Sequence, residues 1–340
     1  MNRSIKVFVG ILMVLVLLYL VGPRTSEIKI MPEVSASTLA GVGSIANVGD
    51  YIARNEEARP VKEGNYTQLL WVDSVGKKTK YVLLYLHGFS ACPEEGAPVS
   101  ESIALRYGMN MYAPRLAEHG LIEDEPMINF TGEKYINSAK EALKIARLLG
   151  DSVIIMSTST GSTAALCLAS ADNAIHSLIC YSPNIRVYDK RASLLTGPWG
   201  LQVSRLVKGG DYNVWEAPVE ARKYWHTKYR LEATIELQRL LESTMNEETF
   251  QKVKVPTFIG YYYKNEEEQD NVVSVPAILS MYKDLASEKK QIVVFPNGGN
   301  HCMPSPYFGK DIPNLTRETA RFLEEVLGLK RTSLSYPTEN

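Results

Sequence analysis

The chain has 340 residues, with 37 basic and 38 acidic side chains and a formal net charge of -1. At 45% hydrophobic and 22% charged residues, its composition is that of a chain burying a large core. The charge balance excludes a general field that would draw in nucleic acid or an anionic membrane surface.

Arg3 and Lys6 precede an apolar run from Val7 to Val21, closed by Gly22-Pro23-Arg24. The run is long for a signal-peptide core and slightly short for an average spanning helix, and no small-x-small cleavage pattern follows it closely. Residues 1–22 are therefore read as an uncleaved signal anchor, with a cleaved signal peptide or a buried helix as alternatives. The anchor makes the membrane a partner and puts the remainder of the chain on the exported side, periplasmic or extracellular; the cleaved form is secreted. Residues 23–47 are rich in small and polar side chains and read as a linker. Within it, Gly41-Val42-Gly43-Ser44-Ile45-Ala46 is a loose dinucleotide fingerprint, but no strand precedes it.

From residue 48 the chain alternates. Strands are expected at Gln68–Val72, Lys80–Leu86, Asn110–Ala113, Ser152–Met156 and Ser177–Tyr181. Between them, Gly96–Tyr107, Gly132–Leu149 and Thr160–Ser170 read as helices, the second with apolar residues at helical spacing. Residues 184–254 break the rhythm: they show no clear strand, hold Trp199, Trp215 and Trp225, and read as a helical cap inserted over the sheet edge. Its segment Arg222–Arg230 mixes basic and aromatic residues, as an ordinary helix face or a contact for an acidic or amphipathic substrate. Strands Thr257–Tyr263 and Gln291–Phe295 then return, with helices at Pro276–Ala286 and Leu315–Leu327. Apolar strands separated by helices make an α/β protein with a mainly parallel sheet covered on both faces. Its core is expected in two parts, 48–183 and 255–330, followed by a polar tail at 331–340.

The chemistry centres on Val153-Ile154-Ile155-Met156-Ser157-Thr158-Ser159-Thr160-Gly161-Ser162. A buried strand meets a helix through small residues, so the turn can hold Ser159 in a strained conformation with its hydroxyl above the sheet. The usual pattern is Gly-x-Ser-x-Gly; here Ser157 replaces the first glycine. A serine nucleophile needs a base, and the base needs an orienting group. His301 follows a strand and the loop Asn297-Gly298-Gly299-Asn300, where backbone freedom can aim an imidazole. His119, His176 and His226 read as structural. After the preceding strand, Asp270 stands before Val272-Val273 and is the expected orienting carboxylate, with Glu266 as second choice. The order Ser159, Asp270, His301, each after its own strand, is that of α/β-hydrolases. For an oxyanion hole, Thr160 supplies one backbone N–H directly after the serine. Phe89 supplies the other, from the His87-Gly88-Phe89 loop, with His87 as a packing residue.

On these residues the chain resembles the α/β-hydrolase superfamily, especially carboxylesterases and monoacylglycerol-lipase-like enzymes with a helical cap. The resemblance runs from about Tyr66 to Leu327, through His87-Gly88-Phe89, Ser157–Gly161, Asp270-x-x-Val273 and Gly299-x-His301. Where the family often has Gly-His-Gly, this chain has Glu118-His119-Gly120. The resemblance implies hydrolysis of small-molecule carboxylic esters or acylglycerols, without metal or organic cofactor. Acyl transfer, thioester or amide cleavage on the same triad, and a non-catalytic binding protein, are the alternatives. The cysteines, Cys92, Cys167, Cys180 and Cys302, lack metal-like spacing. Cys92 and Cys302 flank the two candidate loops, as a possible disulfide or shared wall.

Overall fold

The computed structural model describes residues 3–28 and 42–332. Most of the expected linker, the first glycine of the dinucleotide-like fingerprint and nearly all of the polar tail lie outside these residues.

The N-terminal apolar run forms α1, Arg3–Leu20. Its end is tied to the rest of the chain, for Trp199 Nε1 donates to the Leu18 carbonyl at 3.0 Å. No helix among the described residues is long and apolar enough to cross a membrane. At about 1.5 Å per residue, an 18-residue helix extends about 27 Å, short of the roughly 30 Å hydrocarbon core. Lys6 shortens its apolar part further. The expected signal anchor is thus corrected, and with it the membrane as partner and the exported localisation that rested on this segment.

Beyond helix α2 (Val48–Glu57), the chain builds a seven-stranded sheet. Its elements follow as β1 (Gln68–Leu70), β2 (Thr79–Leu86), α3 (Ala97–Arg106), β3 (Asn110–Ala113), α4 (Gly132–Leu149), β4 (Gly150–Thr158), α5 (Thr160–Ala171) and β5 (Ser177–Tyr181). Then come α6 (Gly200–Lys208), β6 (Tyr212–Val214), β7 (Lys228–Arg230), α7 (Leu231–Thr244) and α8 (Glu247–Lys252). The chain closes with β8 (Thr257–Tyr261), α9 (Val275–Asp284), β9 (Lys290–Val294) and α10 (Ile312–Arg321), which runs on into a π turn at Phe322–Val326.

Strand order is β1-β3-β2-β4-β5-β8-β9, parallel throughout except that β1 pairs antiparallel with β3. Side chains alternate across a strand, and β2 shows the result: Val82, Leu84 and Leu86 join one core and Leu83 and Tyr85 the other. Helices α4, α5 and α9 cover the first face, while α3 and α10 cover the second. The chain therefore has the doubly covered parallel sheet that its apolar strands require.

The stretch between β5 and β8 departs from its strandless reading, because β6 and β7 form an antiparallel pair there. Three residues each are too few for a periodicity to register. The Arg222–Arg230 segment is likewise no helix face but a 3₁₀ turn at Ala221–Lys223 leading into β7. Arg222 pairs with Glu216, Lys223 with Glu220, and Arg230 with Glu125 and Glu232, while Lys228 Nζ lies over the Tyr212 ring.

Leu143 lies on the buried face of α4 with no exposed surface. Leu143→Ala is expected to lower stability by about 2–5 kcal/mol, through lost burial and the cavity left behind. Urea unfolding followed by circular dichroism reads this as a lower midpoint at unchanged slope.

Candidate active site

The turn from β4 into α5 puts Ser159 in a conformation that L residues seldom adopt, with φ 55° and ψ -122°. Strain of this kind costs about 1–3 kcal/mol and needs surroundings that enforce it. Here the Ser159 N–H donates to the Tyr181 carbonyl of β5 at 2.9 Å, and the Asn184 N–H donates to the Ser159 carbonyl at 3.1 Å. A Cβ at Gly161 would run into the carbonyl oxygens of Leu86 and His87, so the helix approaches β2 only because that position is glycine. Ser157, in place of the usual first glycine, fits by bonding inward: its hydroxyl lies 3.0 Å from Ser162 Oγ and donates to the Ile179 carbonyl at 3.3 Å.

After β8, Asp270 is fully buried at the end of a loop stitched to the segment beyond β5 by the Val187–Val273 bridge. Its Oδ1 accepts the N–H groups of Val272 and Val273 at 2.9 and 3.0 Å. Its Oδ2 lies 2.7 Å from His301 Nδ1. Of the valine pair, Val273 is the buried anchor and Val272 is half exposed. Burial would raise the Asp270 carboxyl, but the neighbouring imidazole and the two amides outweigh it and hold it below the ordinary aspartate range. His301 shows the converse: burial would lower it, yet Asp270, and more weakly Glu95, keep it above the ordinary histidine value. Glu266, the second choice, is exposed and accepts from the Tyr263 hydroxyl at 3.1 Å.

The loop after β2 is pinned from several sides. His87 is buried; its Nε2 accepts from the Leu116 N–H at 3.0 Å and its Nδ1 bonds the Gly88 carbonyl at 2.9 Å. Burial and the nearby His119 hold His87 far below the usual histidine range, so it stays neutral. The Tyr135 hydroxyl donates to the His87 carbonyl at 2.7 Å, and the Phe89 ring meets His119, Phe130 and Tyr229 edge-on. Neither the Phe89 nor the Thr160 N–H has a protein acceptor among the described residues.

Ser159, His301, Phe89 and Thr160 all line one cavity of about 600 Å³, with Asp270 behind the imidazole. Its far wall comes from the stretch between β5 and β8, through Trp215, Trp225, Tyr229 and Leu237. Among the described residues no cluster suited to a metal ion occurs. All four cysteines are free thiols, so Cys92 and Cys302 form no disulfide; Cys302 lines the cavity.

Two residues at this site escape sequence reasoning. Asn184 braces the elbow, adding a bond from Nδ2 to Thr160 Oγ1 at 3.2 Å. Glu95 is buried under the 87–89 loop and reaches the cavity. In Cys92-Pro93-Glu94-Glu95-Gly96 the two glutamates look alike, and nothing in the string marks which of them turns inward.

No family model and no curated protein matches the chain. Solved structures do. A metagenome-derived lipolytic enzyme aligns with TM-score 0.61 at 16% identity, covering 78% of this chain and 99% of that one. The monoacylglycerol lipase of Paleococcus ferrophilus gives 0.56 at 13%, covering 76% and 98%. A soluble variant of the monoglyceride lipase of Saccharomyces cerevisiae, in complex with a substrate analog, gives 0.51 at 14%, covering 76% and 91%. The chain has the α/β-hydrolase fold. At such identities the likeness is one of fold.

Gly161→Val is expected to disrupt the elbow, because the added side chain meets fixed carbonyl oxygens of β2 and a helix backbone that cannot retreat. A loss of about 1–3 kcal/mol in thermal or urea unfolding, accompanied by loss of any reactivity at Ser159, is the expected outcome.

Proposed function

We propose that the protein is a serine hydrolase that cleaves carboxylic esters through an acyl-enzyme on Ser159. The observation that carries this is a serine at φ 55° sharing a cavity with an imidazole whose other nitrogen is held by a buried aspartate. Ser159 Oγ attacks the ester carbonyl carbon while His301 Nε2 takes its proton. Asp270 fixes the tautomer with the proton on Nδ1 and balances the imidazolium. The N–H groups of Phe89 and Thr160 receive the oxyanion. Collapse breaks the bond to the alcohol oxygen, which leaves with the proton from His301. Water, deprotonated by the same imidazole, then attacks the acyl-enzyme and frees Ser159.

Residues 184–254 act in this proposal as a cap between core parts 48–183 and 255–330, and shape the substrate pocket. A cavity of about 600 Å³ walled by Trp215, Trp225, Phe308 and Leu237 suits a small-molecule ester with a sizeable apolar group. The lipolytic and monoacylglycerol-cleaving neighbours support the same class of substrate.

Ser159→Ala is expected to abolish turnover of p-nitrophenyl esters and labelling by a fluorophosphonate, with the fold kept by circular dichroism. Retained turnover would refute the assignment. Asp270→Asn should lower kcat by about 10³–10⁴-fold, since the amide can stabilise neither the tautomer nor the cation. The base works only when neutral, and its folded pKa lies above the ordinary 6.5. Activity should therefore rise with pH through an acid limb above that value, and kcat/KM against pH measures it.

A further inference from the structure

We infer that Glu95 is a positioning residue that seats the 87–89 loop and, as a second carboxylate beside Asp270, sets the protonation range of His301. The inference rests on the serine-hydrolase reading above. Glu95 Oε2 accepts two hydrogen bonds, from the Gly88 N–H at 2.8 Å and the Tyr85 hydroxyl at 2.9 Å. The first fixes the peptide next to the Phe89 amide. Gly88 itself is wedged between the two groups: a Cβ there would stand 3.0 Å from both Glu95 Oε1 and Ser159 Cβ. The carboxylate is thus built into the wall against the nucleophile, with 1% of its surface exposed.

A buried carboxylate ordinarily has an arginine or lysine partner, and among the described residues Glu95 has none. Tyr85 from β2 bonds it; Cys302 Sγ, on the loop after β9 that carries His301, donates to its Oε1 at 3.9 Å, and Glu95 and His301 line the same cavity; Tyr135 from α4 and Cys92 from its own turn are the other titratable groups within its field. Burial raises both tyrosines and both thiols well above neutrality, so they stay protonated and uncharged, and His301 is the one group of this set with a cationic form. Burial also raises Glu95 to about 7, against the pull of Gly88, Tyr85 and the imidazole. Charge on Glu95 and charge on His301 therefore favour each other, and the two titrate as a linked pair.

Two functions are separable by substitution. Glutamine keeps an acceptor for Gly88 and Tyr85 but removes the charge; alanine removes both. The deciding measurement is the His301 imidazole titration by NMR in the intact chain, which needs no turnover. In Glu95→Gln the His301 pKa is expected lower than in the natural protein, and the acid limb of kcat/KM moves down with it. Glu95→Ala should lose about tenfold or more in kcat/KM, and Glu95→Gln should restore most of it. A His301 pKa unchanged in Glu95→Gln overturns the inference. If that variant does not fold, the natural protein decides: a second step near pH 7 linked to His301 supports the pairing, and a single unlinked step overturns it. Absence of ester cleavage and fluorophosphonate labelling in the natural protein would sink the hydrolase reading instead, while the titration still reports on Glu95.

Discussion

The site hangs on a backbone constraint at the end of β4, where the chain reverses into α5 with Ser159 at positive φ. Such a residue relaxes unless its neighbours forbid it. Four neighbours take part here by different means. β5 and Asn184 hold the amide and carbonyl of Ser159, Gly161 lets the helix lie on β2, and Gly88 lets the adjoining loop close over the serine. Each depends on the sheet order, because β2, β4 and β5 must be neighbours for these backbones to meet.

Around this turn the electrostatics concentrate on one imidazole. His301 is buried, with Asp270 bonded to its Nδ1, and it shares the cavity with Glu95, which lies under the 87–89 loop. Burial disfavours its charged form and the carboxylates favour it, and the balance leaves it above the ordinary histidine value. The other buried histidines lack a carboxylate bonded to the ring and fall the opposite way: burial takes His119 to about 4 and His226 to about 3. The same residue type is thus divided by its partners into one imidazole held above the ordinary histidine value and packing groups held below it.

The stretch between β5 and β8 completes the cavity and meets the core at specific points. The His226 N–H donates to the Ser90 carbonyl at 2.8 Å, tying the far wall to the loop that carries Phe89. The Phe89 ring packs on Tyr229 of β7. The far wall is therefore joined to the loop over Ser159 by one hydrogen bond and one ring contact.

Much of the architecture was legible because it follows from local periodicity. Asn110–Ala113, Gly132–Leu149 and Ser177–Tyr181 have the bounds their apolar patterns indicate, and the other core elements shift by only a few residues. A continuous apolar strand has few alternatives to a doubly covered parallel sheet. Chain order and small residues also sufficed to select Ser159, Asp270 and His301 as candidates. What needed the tertiary structure was anything set by neighbours distant in sequence: the β6–β7 pair, the bracing by Asn184, and the choice between Glu94 and Glu95. The N-terminal run shows the same limit, since apolarity alone suggested an anchor that a helix of 18 residues does not supply. The sequence by itself determined which residues were candidates for the chemistry. Only the fold decided which carboxylate would be buried under the 87–89 loop, because desolvation is a property of the packed surroundings and is not written in any local pattern.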